Sequence, residues 1–151
     1  MSLELINDRD EIEDNNIIDT LKKVKNIALI GASSKPERDS YKVMAYLIKE
    51  GYQVFPVNPL LEGATILNRE VYGCIKDIPS SIDMIDVFRQ SKYLLDIVVE
   101  AKQENIAHIW TQLGVTDIKS ELLALESGIN IIVNRCPAIE IPRLNLSFKV
   151  D

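Results

Sequence analysis

The sequence predicts an α/β fold: a doubly wound parallel sheet of about five strands between two layers of helices, three αβα layers in all. Two observations predict it. Short apolar runs rich in β-formers alternate along the chain with amphipathic stretches of helical period, the pattern of repeated strand–helix–strand units. The run Ile27-Ala28-Leu29-Ile30 then passes directly into Gly31-Ala32-Ser33-Ser34-Lys35-Pro36, a small-residue loop ahead of a helical pattern. A strand, a tight loop and a helix N-terminus in that order turn free backbone N–H groups toward an anion, which points to a nucleotide or its phosphates.

The elements follow in order. Residues 1–24 read as an N-terminal helical extension packed on the domain edge, because Ile17, Ile18, Leu21 and Val24 recur at helical spacing. Residues 25–151 form the domain proper. Its first strand is Asn26 to Gly31, and Gly31 ends it where the backbone turns sharply or approaches a ligand closely. The next helix runs from about Ser40 to Glu50, with Val43/Leu47 and Met44/Ile48 inward and Lys42, Tyr46, Lys49 and Glu50 outward. Gly51 stops it. Strand two is Tyr52 to Val57. An irregular stretch from Asn58 to Ser81 is punctuated by Pro59, Gly63, Gly73 and Pro79. Strand three is Ile82 to Phe88, and a helix spans Lys92 to Asn105. Strand four is Ala107 to Gln112, Thr116 caps a helix that ends at Gly128, and strand five is Asn130 to Asn134. The sequence shows no internal repeat, low-complexity tract or exposed apolar stripe.

Composition narrows the function classes. A chain of 151 residues with 46% hydrophobic and 26% charged residues suits one globular domain with a real core. A formal net charge of -6 argues against non-specific nucleic-acid binding, which needs a basic face. Within that acidic chain, Lys35, Arg38 and Lys42 gather beside the candidate phosphate loop. The two cysteines, Cys74 and Cys136, lack metal-ligand spacing and fit a reducing, cytoplasmic compartment. The acidic N-terminal stretch (Glu4, Asp8, Asp10, Glu11, Glu13, Asp14) does not read as a signal peptide, and no apolar run approaches the roughly 18 residues that span a bilayer.

In open α/β sheets the ligand sits outside the carboxyl ends of the strands, at the point where strand order reverses. The residues that follow the five strands are Gly31-Ala32-Ser33-Ser34, Asn58-Pro59, Phe88-Arg89, Gln112-Leu113-Gly114 and Asn134-Arg135-Cys136-Pro137. The three-glycine dinucleotide fingerprint is absent, since only Gly31 is present in the first loop. After strand two, where an NAD site places an acid on the ribose, the chain has Val57-Asn58-Pro59.

The run from Gly31-Ala32-Ser33 through Pro36, Arg38, Ser40-Tyr41, Val43, Tyr46-Leu47, Gly51-Tyr52 and Val57-Asn58-Pro59 resembles the small single-domain bacterial CoA-binding proteins. Asp83-Met84-Ile85-Asp86-Val87-Phe88-Arg89, Trp110-Thr111-Gln112-Leu113-Gly114-Val115, Arg135-Cys136-Pro137 and Pro142-Arg143-Leu144 continue the match, which covers nearly everything after Lys25. The resemblance implies the Rossmann-like fold of the CoA-binding domain of the succinyl-CoA synthetase α subunit. It implies that Gly31, Ala32, Ser33 and Ser34 lie against the CoA diphosphate, that Asn58 and Pro59 border the adenosine, and that Lys35 and Arg38 reach phosphate. It further implies that Phe88 and Arg89 lie beside the phosphates or the pantetheine arm, and that Gln112, Leu113 and Gly114 line that arm. Arginine forks and backbone N–H groups suit such an anion. At Asn134 the family pattern expects Asp, so a binding role carries over there but a proton-transfer role does not.

The expected function is therefore to bind CoA or an acyl-CoA at the carboxyl edge of the sheet, as a module without complete catalytic machinery. Any chemistry would be acyl-thioester chemistry with a protein partner in acyl-CoA metabolism. The alternative is an NAD(P)-binding oxidoreductase or redox sensor on the same fold. Complete acid–thiol ligases relay phosphate through a histidine, whereas the one histidine here, His108, falls within a predicted strand. The sole candidate for catalysis is Cys136. It sits at the ligand edge and follows Arg135, which would lower its pKa and allow a mixed disulfide with bound CoA. The reading that stands ahead of it is a small buried residue. No metal, nucleic acid or membrane partner is expected.

Overall fold

The computed structural model describes residues 3–146, so the domain limits expected at residues 1 and 151 lie outside the described residues. Helix α1 (Leu3–Lys23) precedes strand β1 (Asn26–Ile30), which is followed by α2 (Asp39–Lys49) and β2 (Gln53–Val57). The irregular stretch holds a 3-10 turn over Pro59–Leu61, a small antiparallel pair, β3 (Thr65–Ile66) and β4 (Arg69–Glu70), and a second turn over Ile75–Asp77. Then come β5 (Met84–Val87), a 3-10 turn over Ser91–Tyr93, α3 (Leu94–Gln103), β6 (His108–Thr111), α4 (Ile118–Glu126), β7 (Asn130–Ile132) and α5 (Pro137–Arg143).

Five strands make one parallel sheet in the order β2-β1-β5-β6-β7. Two β-branched or apolar faces per strand explain why the sheet is covered on both sides. Along β1, Ile27 and Leu29 join one core with Val43, Met44, Leu47, Met84, Trp110 and Ile141, whereas Ala28 and Ile30 join a second core with Ile85, Val87, Leu94, Val98 and Ala124. Helices α1, α2 and α5 thus cover one face, and α3 and α4 cover the other.

The α/β prediction holds, and the differences have local causes. Asp117, not Thr116, caps α4: its carboxylate accepts from the Ser120 N–H at 3.1 Å, and a carboxylate does this more strongly than a hydroxyl. Strand five stops at Ile132 because Asn134 takes a left-handed φ of 59°, a conformation asparagine tolerates. Helix α5 was not expected, although Pro137 at its first position is a helix-start signal. A stripe of exposed apolar residues does exist on α4, formed by Ile118, Leu122 and Leu125.

Helix α1 packs its inner face into the core. Ile17 and Leu21 are fully buried, and Tyr52 donates its hydroxyl to the Leu21 carbonyl. At its other end, Arg135 reaches Glu13, and Arg143 reaches Asp14 at 2.6 Å. Both arginines also grip the buried carboxylate of Glu140 on α5. Leu21→Ala is expected to cost about 2–5 kcal/mol of stability, read by urea unfolding with the buried Trp110 as reporter.

Candidate functional site

Strand order reverses between β2 and β5, the two neighbours of β1. Their register aligns the carboxyl ends: Ile30 lies beside both Val57 and Val87, and Val87 lies beside Thr111. The chain leaves β1 and β5 in nearly the same place. Phe88 donates its N–H to the Ile30 carbonyl at 2.8 Å, and Gly31 turns away with φ of 87°. A Cβ on Gly31 would stand 2.3 Å from the Phe88 carbonyl oxygen. Glycine is therefore required here twice over, by conformation and by space.

The loop after Gly31 is tied down from behind. Gly31 and Ala32 both give their N–H to the Val57 carbonyl, at 3.1 and 3.3 Å. Asn58 donates its side-chain amide to the Ala32 carbonyl at 2.8 Å, and its oxygen accepts from Leu60 N–H at 2.9 Å. The Ser33 hydroxyl accepts from Lys35 N–H at 3.1 Å. This folded loop delivers the chain to α2, whose first residues Asp39 and Ser40 line the same space. Arg38 is its N-cap residue and makes no side-chain cap.

A cleft runs along this edge in two halves that meet at Phe88 and Asp39. The polar half, about 580 Å³, is lined by the Gly31–Lys35 loop, Arg38, Asn58 and Leu60. The other half, about 640 Å³, is lined mostly by apolar surface from Val43, Leu113, Val115, Cys136 and Ile139, with Arg89 and Gln112 among its polar groups. Lys35, Arg38, Lys42 and Arg89 form no ion pair with a described residue, so the edge carries uncommitted positive charge. The Arg89 guanidinium lies 4.1 Å from the centre of the Tyr93 ring, held at the rim by a cation–π contact.

The structure thus gathers Gly31, Ala32, Ser33, Ser34, Lys35, Arg38 and Asn58 in one half, and Arg89, Gln112, Leu113 and Gly114 in the other, with Phe88 shared. Pro59 lines neither; it starts the 3-10 turn beside Asn58. Asn134 stands behind the cleft, its side-chain oxygen accepting from Gly114 N–H at 2.7 Å. Lys42, placed on the outer face of its helix by the sequence pattern, lines the cleft. Asp39 and Ile139 were missed. The signal for Ile139 was Pro137, since a helix starting there turns Cys136 and Ile139 toward the sheet edge.

Of the two readings of Cys136, the small buried residue is the one the structure carries. Arg135 is committed to Glu13 and Glu140. Burial pushes the Cys136 thiol up, and the carboxylates of Asp86 and Asp39 add to the effect. Cys136 is a neutral thiol forming part of an apolar wall. His108 accordingly belongs to the opposite end of the sheet, where its ring nitrogen lies 3.2 Å from the Asn130 amide; burial lowers its pKa.

Beneath Gln112 lies Asp86, fully buried, whose Oδ1 accepts from Gln112 Nε2 at 2.7 Å and whose Oδ2 has no partner. Burial pushes this carboxyl up to about 7, against the opposing hydrogen bond from Gln112.

A doubly wound sheet with a backbone-lined loop and a cleft at its switch point defines the class: a single Rossmann-like α/β domain. Residues 25–142 match the family model of the CoA binding domain, and the chain belongs to that family. Among curated relatives, YneT of Bacillus subtilis (strain 168) is 30% identical over 80% of this chain and 87% of that protein. The α subunit of an ADP-forming acetate–CoA ligase (isoform I) of Pyrococcus furiosus is 32% identical over 59% of this chain, but the match spans only 20% of that subunit. A solved structure of a hypothetical protein from Pyrococcus horikoshii OT3 superposes with a TM-score of 0.83 at 39% identity, covering 87% of this chain and 92% of that one. Among the described residues, no helix is long and apolar enough to cross a membrane.

Two outcomes test this site. Gly31→Ala is expected to destabilise the fold by at least ~2 kcal/mol, because it meets both a forbidden φ and the Phe88 carbonyl; thermal unfolding checks it. Asp86 fixes a pH dependence. The native state holds its proton up to about pH 7, whereas the unfolded chain releases it near pH 4. The folded state therefore binds the extra proton within that window, and stability falls as pH rises through it, on the order of 4 kcal/mol in all. Asp86→Asn is expected to flatten this fall, measured by urea unfolding near pH 5 and near pH 8.

Proposed function

We propose that the cleft binds coenzyme A, with its phosphates in the polar half and its pantetheine arm in the apolar half. The observation that carries this is the two-part cleft itself. A nucleotide with a long, weakly polar arm needs anion-binding backbone and cations at one end and an apolar channel at the other. Here they are continuous across Phe88. Lys35 and Arg38 supply charge to the phosphates, and α2 turns its N-terminal dipole toward them. The family match to residues 25–142 supports the same ligand.

Acyl-CoA is accommodated on the same terms, its acyl group lying against Val115, Cys136 and Ile139. The chain acts as a binding module of the cytoplasm of a bacterial cell, and any acyl-thioester chemistry is completed by a protein partner. The match to the ligase α subunit, whose own printed activity is ADP-forming acetate–CoA ligation, supports a partner of that kind. The nicotinamide alternative gains nothing from the site. Asn58 stands where an acid would hold the ribose, and both ends of its amide are spent on the loop.

Titration calorimetry with CoA, dephospho-CoA and NAD in parallel tests the reading. Micromolar CoA binding, about -8 kcal/mol, that weakens without the 3′-phosphate is the expected result. Arg38→Ala is expected to weaken CoA by roughly tenfold, the loss of one charge-assisted contact. Tight NAD binding with no response to CoA would reverse the assignment.

A further inference from the structure

Helix α4 carries its residues the wrong way round for a helix that only covers a sheet. Such a helix turns its large apolar side chains inward and its polar ones to water. On α4 the fully buried positions are Ser120 and Ala124, both small, with Leu123 packed against the core in part. Ile118, Leu122 and Leu125 are 74%, 54% and 72% exposed. Their spacing of four and then three residues lines them up as one seam, the spacing by which two helices pack on each other. Helix α3, which packs beside α4, exposes Leu95 and Val99 as well. Apolar surface gathered in this way marks a place where another molecule docks.

The charges beside the seam say what covers it. Lys119 and Glu126 stand seven residues apart, two helical turns, and so share one flank of the seam. Among the described residues neither forms an ion pair. Asp117, the cap of the same helix, feels the Lys119 charge but spends its carboxylate on Ser120. When two copies of such a helix pack antiparallel about a two-fold axis, each flank meets its own counterpart in reversed order. Lys119 then lies opposite Glu126 of the second copy, and Glu126 opposite Lys119 of the second copy. A parallel pairing brings opposite flanks together instead and faces Glu126 with Glu121, carboxylate on carboxylate, with the helix dipoles aligned. In the antiparallel arrangement the Glu121 flank adds no attraction, so the direction is set by Lys119 and Glu126.

We infer that the outer face of α4 is a two-fold interface on which a second copy of this chain packs, helix on helix and antiparallel. Ile118, Leu122 and Leu125 form its buried seam. Because the same patch serves both copies, the assembly closes at two. The seam is only two turns long, so the dimer is reversible and depends on concentration. No residue of α4 lines the cleft, so the pairing leaves both clefts open and does not depend on what they bind.

Sedimentation velocity from micromolar to millimolar protein tests this, with Trp110 fluorescence verifying that each variant is folded. The wild type is expected to pass from monomer to dimer across that range, and Leu122→Lys to remain monomeric throughout. Lys119→Glu and Glu126→Lys each set like charges across the axis and are expected to weaken the dimer roughly tenfold. Mixed in equal amounts, these two variants place Glu against Lys at both ends of the seam. The mixture is expected to dimerise as the wild type does. That recovery requires an antiparallel second copy; a generally adhesive surface or a dimer through another face would not produce it. A dimer untouched by Leu122→Lys, or a mixture no tighter than its two components, overturns the inference. So does a wild type that stays monomeric at every concentration, which leaves the seam to a partner of different sequence.

Discussion

The close approach of Gly31 to the Phe88 carbonyl is the constraint on which the rest depends. Two parallel strands pair side by side, and at their carboxyl ends the chain must leave both without collision. On one strand it does so by a left-handed turn that only glycine takes freely in so little space. From that turn follow the direction of the next loop, the entry angle of α2 and the opening of the cleft. Phe88, fixed by its bond to Ile30, then stands between the polar and apolar halves and belongs to both.

The polar half is organised by the protein's own backbone. Val57 receives two N–H groups from the loop, and Asn58 closes it from the side, so the loop's shape is held by bonds internal to the chain. The apolar half is organised differently, by burial. Cys136 is kept neutral there, and Asp86 is retained in a position where a charge is costly. A buried carboxyl with one unpartnered oxygen is an expensive feature of the strand beneath the cleft.

Much of this was legible in the chain. The strand periodicity gave the parallel sheet, and the residues following each strand named most of the cleft before its geometry was known. Gly31 was readable because the strand before it is so plainly apolar. What could not be read came from contacts distant in sequence. Cys136 follows Arg135, which suggested activation, yet Glu13 and Glu140 claim that arginine from two other elements. Asp86 looked like one more residue of a β-run. Its meaning comes from Gln112, on the neighbouring strand's end. Asn58, which lines the polar half, is also a brace, and that second role comes from its distant partner Ala32.

Helix α1 precedes β1 in the chain, yet many of its partners come from near the other end. Asn16 bonds Asn130, Thr20 receives Asn130 as well, and Glu13 and Asp14 await Arg135 and Arg143. As the polypeptide is made, this helix emerges long before the surface that receives it exists. These contacts of α1 cannot form until β7 and α5 have been made, so they close the two ends of the described chain on each other. The same ion pairs anchor the segment of α5, whose N-cap residue Cys136 and whose Ile139 line the apolar half of the cleft, so the far N-terminal helix braces a wall it does not itself line.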